Sequence, residues 1–231
     1  MNRPVCFAIV LFVAASAACP APSGAEVGKR LFSDARFSDS EFNSFSCATC
    51  HGTTADAIAP RIAHPLNDVV GRGVWWGGYS PRLIDAVDFC NIFFMRGDPI
   101  DPTSPRARAL YEYLVVISSE AEAAPRTLTW VENVGTVARG DPRRGEAVWD
   151  ASCRECHGDP VTGDGRINDR VSAVPGASQE FADSFGFEVD LVVTEKVRHG
   201  QFFGVGGNMP PFSLESLSDE DLGALIAFLG I

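Results

Sequence analysis

Apolar residues recur at helical spacing in two separate blocks of the chain. Ala107, Leu110, Leu114 and Ile117 share one face of a segment that opens at Ser104-Pro105, and Leu222, Leu225, Ile226 and Leu229 share one face of another that opens at Ser218. Both openings read as helix starts. A serine side chain accepts a first-turn amide, and proline at the first helical position has no amide to leave unpaired. Leu217 and Leu222 stand at hydrophobic-staple positions around Ser218. Earlier in each block the pattern repeats: Gly28, Leu31 and Phe32 share a face, and Gly145, Val148 and Trp149 keep the same offsets behind Asp141-Pro142. A glycine on such a face lets a second helix approach closely. One more helical stretch, from about 81 to 96, carries Cys90 and Met95. The pattern predicts an all-α chain made of two similar units.

Each unit carries the same short motif. Cys47-Ala48-Thr49-Cys50-His51 and Cys153-Arg154-Glu155-Cys156-His157 place two thiols and an imidazole at identical spacing, and each is followed by a glycine. Two thiols at this spacing can each add to a vinyl group of haem, and the adjacent imidazole then lies under the iron, so Cys-x-x-Cys-His is the attachment signature of c-type haem. A zinc site made of the four cysteines is the competing reading. It leaves the repeated histidines and the following Gly52 and Gly158 without a role.

With these motifs the chain resembles tandem diheme cytochromes c of the cytochrome c superfamily, from about residue 26 to the end. The resemblance implies two tandem class I cytochrome c-like domains, each enclosing one covalently attached haem c. Their expected bounds are 26–124 and 136–231, joined by a linker over 125–135 that is partly packed against one domain. Cys47, Cys50, Cys153 and Cys156 would attach the haems, and His51 and His157 would be the proximal ligands. The family also implies that the first and last helices of each domain cross at the paired glycines.

The second axial ligands follow from spacing together with the resemblance. Methionine is scarce, and Met95 and Met209 each stand nine residues ahead of a closing-helix serine, Ser104 and Ser218. Met209 is followed by two prolines and preceded by Gly206-Gly207-Asn208, like the methionine loop of the family. Met95 is followed by Arg96, which departs from that pattern. His199 is the rival of Met209, and Cys90 and His64 are the rivals of Met95. On an ideal helix the directions of Cys90 and Met95 differ by roughly 140°, so the two are expected not to share one iron. A backbone carbonyl near Pro60 or Pro65 is expected to hold the second ring nitrogen of His51. Trp75 and Trp76 are read as pocket walls.

Composition narrows the partners and the compartment. The net charge is −11, and loss of a leader containing one base, Arg3, and no acid takes it to −12. Such a surface avoids nucleic acid and suits redox protein partners, including a dehydrogenase or oxidase with a basic docking face. Residues 1–25 read as a secretory signal, with Met1-Asn2-Arg3 ahead of an apolar run from Val5 to Ala15 that is short for a membrane span. Cleavage after Ala18 would leave Cys19 as a lipid-bearing terminus and the only membrane contact; cleavage at Ser23-Gly24-Ala25 would leave none. Of the seven cysteines only Cys6, Cys19 and Cys90 lie outside the motifs, so no disulfide framework is implied.

The expected function is single-electron transfer in the periplasm or on a membrane surface facing it. The alternative is a diheme enzyme, since the approach to Cys47 resembles that of bacterial diheme peroxidases and Cys90 resembles the ligand cysteine of thiosulfate dehydrogenases. From Gly28 to Cys47 there are eleven more residues than from Gly145 to Cys153, and they carry that peroxidase-like approach.

Overall fold

The computed structural model describes residues 22–55, 62–118, 122–200 and 209–231. The leader with Cys19, Pro60 and the Gly206-Gly207-Asn208 stretch lie outside the described residues. Among those described the chain is helical, and the only β-type pairing is an isolated bridge between Trp75 and Ser80. None of the helices there is long and apolar enough to cross a membrane.

The first half contains α1 (Gly24–Phe32), the single turn α2 (Cys47–Cys50), α3 (Leu83–Phe93) and α4 (Pro105–Ile117). Ser23 caps α1 through a reciprocal pair with Glu26, so the helix starts just before the expected domain boundary. Ser104 accepts the Ala107 amide at the start of α4. The helices α1 and α4 cross at Gly28, where a Cβ would fall 2.0 Å from the Ala109 carbonyl oxygen. Phe32, Leu110, Tyr113 and Leu114 from the crossing join Phe37, Leu83 and Met95 in one core.

The second half holds α5 (Pro142–Ser152), the turn α6 (Arg154–His157), α7 (Val174–Phe185), α8 (Val189–His199) and α9 (Asp219–Leu229). Asp141 caps α5 and Ser218 caps α9. Their crossing copies the first: a Cβ on Gly145 would fall 2.0 Å from the Ala224 carbonyl oxygen. Val148, Trp149, Leu217, Leu222, Leu225 and Ile226 form the core around it. Leu217 and Leu222 are both buried there, as their staple spacing predicts. The buried Arg198 of α8 donates to the Leu217 carbonyl at 2.7 Å and reaches Asp219 at 2.7 Å, which ties the loop after Met209 onto α8.

The halves meet along a seam and a strap. Ile62, from the first half, is buried in the second core. Asn168 donates to Ser44 at 2.9 Å, and Arg170 lies over the Phe42 ring. The linker is a strap that bonds to both halves, whereas its sequence reads as partly packed against one. Its Arg126 pairs with Asp68 of the first half, and its Thr129 carbonyl accepts the Leu214 amide of the second.

Candidate haem sites

The two motifs adopt the same local turn. The His51 amide donates to the Cys47 carbonyl and the His157 amide to the Cys153 carbonyl, both at 2.9 Å. That bond folds each imidazole back beside its cysteines. The ring of His51 then donates from Nδ1 to the His64 carbonyl at 2.8 Å, and that of His157 donates from Nδ1 to the Ser172 carbonyl at 3.0 Å. Nδ1 therefore carries the proton in both rings, and Nε2 presents a lone pair to a metal. Burial lowers both histidines. For His51, with the neighbouring Arg72 and His64 adding to the effect, the value falls to about 4. Both rings are thus neutral, as ligation requires.

The carbonyl that holds His51 belongs to the residue before Pro65, one of the two prolines the sequence singled out. The carbonyl that holds His157 had no such signal, since Ser172 stands three residues before Pro175. His64, whose carbonyl holds the His51 ring, itself lines the cavity beside the first motif, and its own Nε2 is buried without a hydrogen-bond partner among the described residues.

A strongly apolar cavity of about 210 Å³ adjoins the first motif. Cys47, Cys50 and His51 line it, together with Met95, Cys90 and Trp75. Met95 is 5 % exposed. Helix α3 ends at Phe93, and the Met95 amide donates to the Cys90 carbonyl. The helical extrapolation that separates the two side chains therefore stops applying before Met95 is reached, and both line the same cavity. The Arg96 position also has a physical reason: its φ is 56°, which proline, locked near −65°, cannot adopt. Burial pushes the Cys90 thiol up to about 12, so it is a neutral thiol.

A charged cluster closes one side of this cavity. Asp68 and Arg72 form a buried ion pair, and Arg126 of the strap pairs with the other Asp68 oxygen. The spacing of Asp68 and Arg72 on one turn is a signal that sequence reading passed over.

At the second motif Cys153, Cys156 and Met209 all pack against the core of that half. Trp149 donates to the Gly158 carbonyl at 3.1 Å and lies against the His157 ring, with centroids 5.9 Å apart. His199, the rival of Met209, is committed elsewhere: Nε2 donates to the Val131 carbonyl at 2.6 Å, and Nδ1 meets Glu195 at 2.5 Å.

The second cysteines of the two motifs are neighbours. Cys156 lines the first cavity beside Cys50. Burial, and next the nearby Cys156, pushes the Cys50 thiol far above its ordinary range. Pro210 and Pro211 also line this cavity, so the residues just after Met209 wall the other site.

The donor sets fit haem c at both motifs. Each offers two thiols, one neutral imidazole with Nε2 available and a thioether in the same half, and the first does so in an apolar cavity.

Residues 140–229 match the family model for subunit III of cbb3-type cytochrome c oxidase. No curated protein matches the chain. Among solved structures, the chain is similar to a thiosulfate dehydrogenase from Marichromatium purpuratum in its as-isolated form, at 15% identity and a TM-score of 0.42. That similarity covers 94% of this chain and 48% of the other, so the chain spans about half its length. The matched segment contains Cys153, Cys156 and His157.

Proposed function

We propose that the protein is a diheme c-type cytochrome that carries single electrons between redox partners in an extracytoplasmic compartment. One observation carries this reading: both Cys-x-x-Cys-His turns hold their imidazole by Nδ1 on a backbone carbonyl and leave Nε2 for iron. Bound haem supplies the one-electron couple of its iron. Cys47 and Cys50 would hold one group and Cys153 and Cys156 the other, with His51 and Met95, and His157 and Met209, as the donors to the two irons. A donor set with no position left open would favour electron transfer over substrate binding, and a thioether among the donors would raise the potential. The neighbouring Cys50 and Cys156 support exchange between the sites. The acidic net charge of −11 suits a partner with a basic face.

The test is the haem content of the exported protein, by pyridine haemochrome and by intact mass after acid-acetone extraction. Two covalent haems per chain are expected, and one or none overturns the reading.

A second reading, a haem enzyme, has one observation in its favour, the position of Cys90 in the same cavity as Met95. Turnover of peroxide or thiosulfate at enzymatic rates, lost in Cys90→Ala, would establish it.

A further inference from the structure

The strap over residues 122–131 does more than join the halves. In an extended chain successive side chains point to opposite sides. The even positions Arg126, Leu128 and Trp130 all line the first cavity. Thr129 and Val131 bond to the second half: Thr129 donates its amide to Glu215 at 2.8 Å and its hydroxyl to the same carboxylate at 2.6 Å. The Leu214 amide donates to the Thr129 carbonyl at 3.1 Å, and His199 donates to the Val131 carbonyl. Glu215 in turn belongs to the loop whose Pro210, Pro211 and Ser216 face that cavity. One wall of the first site is therefore held in place by residues of the second half.

We propose that Thr129, Glu215 and His199 are positioning residues for the first haem: they latch the strap so that Leu128 and Trp130 keep water from its pocket. None of the three is assigned to attachment or ligation; they act through the strap. The proposal rests on the reading that the first motif carries a haem. Its physical content is solvent exclusion. Opening an apolar wall lets water stabilise the more charged, oxidised site and lets small ligands reach the iron.

The test uses the full-length holoprotein. The double variant Thr129→Val/His199→Ala removes two of the latching bonds, and Thr129→Ser keeps both donors of Thr129. Each is titrated potentiometrically, the two waves being assigned with a Met209→Ala chain in which the second wave is displaced. The double variant is expected to lower the potential of the first haem, leave that of the second unchanged, and speed azide binding at the first iron by about tenfold, the scale of two modest hydrogen bonds. Thr129→Ser is expected to behave as wild type. Two haems per chain with both waves unmoved, or both moved equally, overturns the latch alone. One haem per chain overturns the diheme reading and the latch with it.

Discussion

The Met95 amide donates to the Cys90 carbonyl at 3.1 Å, and both side chains turn into the cavity that holds Cys47 and His51. The bond spans five residues where an α-helix spans four. It arises because α3 has already ended, and the chain is turning through Arg96 in the left-handed region. Two soft sulfur groups thus line one pocket.

The relationship predicts a replacement. Met95→Ala should keep a six-coordinate, low-spin first haem with a changed sixth ligand, as the Cys90 thiol loses its proton to bind iron. Cys90→Ala alone should leave the spectrum unchanged. The double variant should show a high-spin first haem. Electron paramagnetic resonance and near-infrared spectra distinguish the three, and a high-spin Met95→Ala single variant would show that Cys90 does not reach the iron.

At the second site no such reserve is in place. His199 uses both ring nitrogens, on Val131 and Glu195. Met209→Ala is therefore expected to leave attachment through Cys153 and Cys156 intact, lower the second potential and open the iron to added ligands. A bis-histidine spectrum in this variant would count against it.

The helix crossings carry much of the stability of each half. Gly145→Ala places a methyl group 2.0 Å from the Ala224 carbonyl oxygen, a backbone atom that cannot rotate away. Overpacking of this kind costs about 1–3 kcal/mol, which for a unit of about 100 residues lowers Tm by about 4–8 °C per kcal/mol. Thermal unfolding followed by haem absorbance measures it. Gly28→Ala should do the same to the first half, where the obstacle is the Ala109 carbonyl.

The latch should have a pH window. Burial acts to raise Glu215, but hydrogen bonds from the Thr129 hydroxyl and amide, joined by those from its own amide and Ser213, together outweigh it and hold the carboxyl down, from 4.5 to about 2. A depressed carboxyl contributes stability that is present above its ordinary value and lost as pH falls through about 2. His199 is raised above 6.5, first by the Val131 carbonyl and then by Glu195. A raised imidazole contributes stability that is present below 6.5 and lost as pH rises through its folded value. The latch is thus complete between about pH 4.5 and 6.5. The difference in Tm between wild type and His199→Ala should be largest near pH 5.5 and narrow as pH rises through the folded value of His199, whereas a gap independent of pH would place the His199 contribution outside titration.

The repeated Cys-x-x-Cys-His motifs, the paired glycines and the capped helices were legible in the sequence because each is a local matter. A serine cap, a glycine on a helix face and an imidazole next to a cysteine are decided within a few residues of chain. The tertiary structure alone decided what depends on distant segments meeting. Ser172 was chosen to hold His157 by the path of the loop between α6 and α7. Cys90 joined Met95 in one cavity because α3 ended before the helical period could separate them. Cys50 came to lie beside Cys156, and Arg126, Leu128 and Trp130 came to wall the first site, because the strap is bonded at both ends. Backbone hydrogen bonds such as those of the Val131 and Thr129 carbonyls carry no side-chain signature, so no residue pattern announces them before the halves are packed together.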